Sequence, residues 1–113
     1  VVFRDSFKSI AALCRDRSIP LFVMLIPTIR TVEAAATDEE MTPGSSLDYQ
    51  LPNRRAAEAL ESLNIRFIDL TPYLSQHPIS EMYFRFDRHL TPKAHRLVVQ
   101  ALKEHCPELH ELN

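Results

Sequence analysis

Asp87 and His89, in the segment FDRHLTPKAH, are the residue types that proton transfer uses, at a spacing that lets them meet. In an extended backbone, residues i and i+2 point to the same side, roughly 7 Å apart, so the carboxylate can bend to the ring. A carboxylate that accepts a bond from one ring nitrogen fixes the tautomer and stabilises the imidazolium, which leaves the other nitrogen as a general base. An Asp-x-His pair by itself also fits an incidental contact in a surface loop. Asp87, His89 and His95 form a second candidate set, because carboxylate and neutral imidazole suit zinc or iron. His95 falls within a helix, however, where a solvated or packing role fits better, and no fourth ligand is obvious; no metal is expected. His77, His105 and His110 read as surface residues, Arg54 and Arg55 as a solvated helix face, Glu39 and Glu40 as loop charge, and Phe84 with Phe86 as core.

The elements that must position this pair are legible from periodicity. Phe3, Phe7, Ile10, Ala11 and Cys14 recur at helical spacing, which predicts an amphipathic helix ended by Pro20. Residues 21–26 are uniformly apolar and bounded by Pro20 and Pro27, as in a strand buried on both faces under helices. Residues 28–50 read as a long loop around a short helix at 32–36. Pro52 stands near the start of a helix with Ala56, Ala59, Leu60 and Leu63 on its inner face and Asn64 as its C-terminal cap. A second strand follows at 65–70, ending at Asp69, and Thr71-Pro72 reads as the cap and first residue of a short turn. Met82, Phe84 and Phe86 alternate with Tyr83 and Arg85 as an extended segment stopping at Asp87. Thr91-Pro92 opens a last helix with Ala94, Leu97, Val98, Ala101 and Leu102 buried, up to Cys106-Pro107. Strands joined through helices are parallel with a right-handed crossover. The expected architecture is therefore α/β, a three-layer sandwich around a short parallel sheet. Two firm strands are few, as if half of a doubly wound domain were missing.

Size and composition narrow the function classes. The chain has 113 residues, 13 Lys+Arg against 15 Asp+Glu and a formal net charge of −2. That is one domain, residues 1–113, with enough buried surface for a core without disulfides. The near-neutral balance gives no basic field for a phosphate backbone, so nucleic acid is not an expected partner. The single glycine, Gly44, cannot build a dinucleotide fingerprint or a phosphate loop, and no cofactor is expected. Cys14 and Cys106 read as separate small thiols. The apolar run 19–29 is broken by Pro20 and Pro27 and is too short to span a bilayer. The start at Val1, in mid-pattern and without a leader, suggests a piece of something longer. A buried strand with one sequential neighbour leaves an apolar edge, for which a homodimer is the expected cover.

Together, IPLFVMLIPT, IRFIDLTPYL and YFRFDRHLTPKAHRLVVQAL resemble the C-terminal half of an SGNH/GDSL-type serine hydrolase over residues 3–104. In that family a buried strand ends in proline, a later strand ends in Ile-Asp-Leu, and the last motif carries the catalytic Asp and His before the final helix. The resemblance implies a flavodoxin-like half-domain, Asp87 as triad acid, His89 as base, and an ester or O-acylated carbohydrate or lipid as substrate. The Asp-x-His spacing, shorter than the commoner Asp-x-x-His, is that of the branch resembling alginate-acetylating enzymes and related esterases. Ala94 stands where glycine is frequent. The serine, oxyanion-glycine and asparagine blocks are not found: RDSF has Arg4 in place of the glycine, and Ser6 fits the outer face of the first helix. The nucleophile is thus expected in an N-terminal half outside these residues, and this chain alone is expected to be inactive. The alternative is a non-catalytic α/β interaction domain that retains the scaffold.

Overall fold

The computed structural model describes residues 2–37 and 47–112; Glu39, Glu40, Gly44 and the side chain of His110 lie outside the described residues. In chain order the elements are α1 (Val2–Asp16), β1 (Phe22–Leu25), α2 (Ile29–Thr37), α3 (Leu51–Ser62), β2 (Arg66–Asp69), α4 (Thr71–Leu74), α5 (Ile79–Met82) and α6 (Pro92–His105), followed by a 3-10 turn at Pro107–Leu112. β1 and β2 pair in parallel, Phe22 opposite Arg66 through Leu25 opposite Asp69. Side chains alternate across this ribbon. Phe22, Met24 and Ile68 join a core of Val32, Leu70, Leu74, Met82, Ala94, Val98 and Ala101 supplied by α2, α4, α5 and α6. Val23, Leu25 and Phe67 point the other way, onto Phe7 and Ala11 of α1 and Ala56 and Leu60 of α3. Helices therefore cover both faces of a short parallel sheet, as the sequence predicts for an α/β chain.

The expected six-residue strand, buried on both faces, is shorter and less covered than that. β1 has four residues, of which only Leu25 is buried, and Ile26 is 54% exposed. The cause is pairing on one edge alone: among the described residues, β2 is the only strand beside β1. α1 shares this incompleteness, since it has no buried residue and leaves Phe3, Ile10 and Leu13 exposed.

Local chemistry sets the element ends. α1 closes before Pro20: Ser18 is left-handed (φ 53°), Ile19 N–H donates to Cys14 O at 2.8 Å and Ser18 N–H to Arg15 O at 3.1 Å. Asn64 (φ 56°) repeats this closure on α3, with Ile65 N–H on Leu60 O and Asn64 N–H on Glu61 O, both at 3.0 Å. Thr91 caps α6 as its sequence predicts, its Oγ1 accepting Ala94 N–H at 3.2 Å. Thr71 does not cap α4; it is the first helical residue. Asp69 does the capping, accepting Thr71 N–H at 2.9 Å and Thr71 Oγ1–H at 2.6 Å. α2 outgrows the 32–36 helix because Thr28 Oγ1 accepts Thr31 N–H at 3.3 Å and starts it earlier.

The extended segment expected at 82–86 is overturned. Met82 closes α5, Tyr83 forms an isolated antiparallel bridge with Leu90, and the chain reverses between them. Phe84 (48% exposed) and Phe86 (91%) lie outside the core, because alternation here belongs to a turn and not to a strand. Cys14 and Cys106 are free thiols. Among the described residues no helix is long and apolar enough to cross a membrane.

The Asn64 closure makes a specific prediction. Asn64→Gly should change stability by less than about 0.5 kcal/mol, whereas Asn64→Val, forced into the left-handed region, should lose about 1–2 kcal/mol in urea denaturation.

Candidate active site

The turn that carries Asp87 and His89 is held at both ends. On one side Tyr83, 5% exposed, donates its hydroxyl proton to the carbonyl of Pro27 at 2.8 Å, fastening the turn to the chain just beyond β1. On the other, Thr91 N–H donates to Met82 O at 2.9 Å, Thr91 Oγ1 donates to Glu81 O, and Lys93 pairs with Glu81. Between these anchors Phe84 N–H donates to His89 O at 2.8 Å and Arg88 N–H to Phe84 O at 3.1 Å. Reversal within so few residues drives Arg88 to φ 60°. A non-glycine residue there costs about 1–2 kcal/mol, which these hydrogen bonds offset.

This left-handed residue, and not an extended backbone, brings the pair together. Asp87 Oδ1 accepts His89 N–H at 3.0 Å, and Asp87 Oδ2 stands 3.4 Å from His89 Nδ1. At 3.4 Å the ring contact is long for a hydrogen bond. The His89 backbone N–H, and next the ring, hold the Asp87 carboxyl below the usual aspartate value, against a partial loss of hydration. The side chains stay open to solvent, 83% exposed for His89 and 61% for Asp87. Among the described residues His89 Nε2 has no hydrogen-bond partner.

His89 lines a cleft of about 540 Å³ with Ile26, Pro27 and Thr28, which directly follow β1. That is the carboxyl end of the sheet, where open α/β folds hold ligands. Arg30, Arg88 and His95 share the lining. A larger groove, about 750 Å³, lies among α1, the end of β1 and α3, lined by Phe3, Met24–Ile26, Asn53 and Ala56, and contains neither member of the pair.

The other candidate residues separate from the site. His105 sits at the end of α6, its Nδ1 3.0 Å from Ala101 O and its ring edge-on to Tyr73. Ser6 is exposed on α1. Arg54 and Arg55 are exposed on α3, paired with Asp48 and Glu58. Among the described residues no group of three or more His, Cys, Asp or Glu is placed to hold a metal ion. Sequence reasoning missed Tyr83 and Arg88. The only sequence signal for Tyr83 was a polar-tipped aromatic in an apolar stretch; for Arg88 it was a position between two candidate residues.

Two measurements check the site. Carbon-detected NMR should find the Asp87 carboxyl titrating below the usual 3.8; since its folded value is depressed, its stabilising contribution is full above the ordinary value and disappears as pH falls through the folded one. Tyr83→Phe, which leaves the buried Pro27 carbonyl without its donor, should lower stability by roughly 1–3 kcal/mol in urea denaturation.

Compared with known proteins, residues 4–113 match the family described as the SGNH hydrolase-like domain of the acetyltransferase AlgX. No curated protein and no solved structure matches the chain. The match spans the two strands, the helices on both faces and the turn that joins Asp87 to His89. A short parallel sheet between helices, with an acid–histidine pair ahead of the last long helix, is thus that of a chain belonging to the SGNH hydrolase-like family of the AlgX acetyltransferase type.

Proposed function

We propose that this chain supplies the acid–base half of an SGNH-type acyl-transfer site that acts on an ester or O-acyl group. The reading rests on one arrangement: Asp87 bound to the backbone and near the ring of His89, with Nε2 unpartnered beside the cleft at the end of β1. His89 takes the proton of a serine hydroxyl as that oxygen attacks the acyl carbon, and returns it to the departing alcohol. Asp87 keeps Nδ1 protonated and stabilises the imidazolium. The acyl group then passes from serine to water, or to a second hydroxyl, with His89 as base again. Among the described residues no hydroxyl is bonded to the His89 ring, so the nucleophile and the oxyanion donors, often the largest electrostatic contribution, come from elsewhere. That same unpartnered Nε2 favours the second reading, a non-catalytic interaction domain on the same scaffold.

The two readings differ in activity. In a protein that also carries the nucleophile, His89→Ala should lower turnover by about 10³-fold or more, Asp87→Asn by a similar or somewhat smaller factor, and His95→Ala by less than about tenfold. This chain by itself should leave p-nitrophenyl acetate at its background rate. Full turnover in both His89→Ala and Asp87→Asn would establish the interaction-domain reading. Equal damage from His95→Ala and His89→Ala, with Asp87→Asn silent, would move the role to a metal site.

We also propose that the chain by itself forms a homodimer through the uncovered edge of β1 and the exposed apolar residues of α1. Light scattering at high micromolar concentration should give twice the monomer mass, and Leu13→Lys should restore the monomer.

A further inference from the structure

Phe86 is displayed and not packed. It stands in the middle of the reversal that Phe84 and His89 close, where Phe84 N–H meets His89 O at 2.8 Å and Arg88 N–H meets Phe84 O at 3.1 Å. At 91% it is the most exposed of the large apolar side chains among the described residues, and it lines neither of the two clefts that Arg88 borders. Phe84, 48% exposed, stands two residues before it. A lone exposed apolar side chain is ordinary on a protein surface. A phenylalanine at the tip of a turn tied down on both sides is different: it enters an apolar phase without first ordering the chain that carries it.

Charge decides what that phase is. The guanidinium carbon of Arg85 lies 5.5 Å from the centre of the Phe86 ring, and Arg88 follows two residues after it. Among the described residues neither guanidinium has a hydrogen bond or an ion pair. The carboxylates beside the turn are already engaged: Glu33 with Arg30 at 3.2 Å, Glu81 with Lys93, and Asp87 with the His89 N–H at 3.0 Å. The tip therefore presents two uncompensated cations around a bare ring, although the chain as a whole has a formal net charge of −2. An apolar ring flanked by arginines suits the boundary between lipid headgroups and acyl chains, with the ring below and the guanidiniums among the phosphates. A soluble anion would use the arginines and leave the ring in water. A neutral apolar groove would use the ring and leave the arginines without a counter-charge.

We propose that the turn at residues 84–88 docks this chain on an anionic lipid surface, with Phe86 entering the acyl boundary and Arg85 and Arg88 lying among the headgroup phosphates. His89 follows directly on that turn, so docking brings the candidate pair to the edge of the headgroup layer. The inference is independent of the acyl-transfer reading, because it concerns where the turn sits and is measured without turnover.

The chain has no tryptophan, so Phe86→Trp places a single fluorescent reporter at the tip. Its emission should move to the blue on vesicles of phosphatidylethanolamine and phosphatidylglycerol and stay unchanged on pure phosphatidylcholine, and the unsubstituted chain should sediment with the anionic vesicles alone. Phe86→Ser should weaken that sedimentation by about tenfold or more, the loss of one buried phenylalanine. Arg85→Gln and Arg88→Gln should each weaken it by about fivefold; Arg85→Gln serves if Arg88→Gln does not fold. Salt at about 0.5 M, which screens charges beyond roughly 4 Å, should weaken it as well. Sedimentation without a blue shift would place the contact elsewhere, and equal binding to phosphatidylcholine would remove the arginines from it. A blue shift that grows with protein concentration in the absence of lipid would assign the tip to a second copy of the chain. Each of these results overturns the proposal, as does a chain that binds neither vesicle.

Discussion

The carbonyl of Pro27 emerges where the parallel ladder has ended: Leu70 N–H reaches Leu25 O at 3.1 Å, and two residues later the chain is buried with, among the described residues, no strand beside it. The Tyr83 hydroxyl meets that carbonyl. Burial pushes the hydroxyl up to about 12, so it remains a donor throughout the neutral range. An unpaired buried carbonyl would be costly, and the donor that removes the cost comes from 56 residues further along the chain. Because Tyr83 is also the bridge partner of Leu90, one bond sets the register between the sheet and the turn that bears Asp87 and His89.

The two faces of the sheet are unequal supports. On the side of α2, α4, α5 and α6, Leu70, Leu74, Met82, Ala94 and Ala101 are fully buried. On the other, Leu60 is fully buried, but α1 rests on α3 and β1 through Phe7 and Ala11 with no buried residue of its own. The pair lies beyond the better-packed face, reached through Tyr83, itself a member of that core. Loosening of α1 is therefore transmitted weakly to the turn, whose anchors are on α5, α6 and the end of β1.

Much of this was legible in the residues. α1, α3 and α6 follow from their apolar spacing, both strands from their apolar runs, the Asn64 closure from its position after Leu63, and the Thr91 cap from Thr-Pro. The meeting of Asp87 and His89 was foreseen, but through the wrong backbone: period-two alternation from Met82 to Phe86 is compatible with a strand until one residue turns left-handed, and nothing in an arginine at position 88 advertises that choice. The same blindness hid Ser18, so that Pro20 seemed the helix stop. Asp69 was read only as the end of a strand, because its capping of α4 depends on the carboxylate folding back two residues. The exposure of Phe84 and Phe86 is a tertiary outcome, set by where the reversal points them.

The anchors around residues 84–89 act on the backbone alone. Opening that segment requires breaking bonds to Pro27, Met82 and Glu81 together, which favours slow exchange at its hydrogen-bonded amides, Phe84 and Arg88. The imidazole is different: it is largely solvated and touched by one carboxylate oxygen, and exposed side chains so held change rotamer on the picosecond-to-nanosecond scale. Rigidity is thus divided, with the path of the chain settled by folding and the aim of the ring left open. Fixing the ring in one rotamer would cost about 0.5–1.5 kcal/mol of side-chain entropy, a cost that the fold itself leaves unmet.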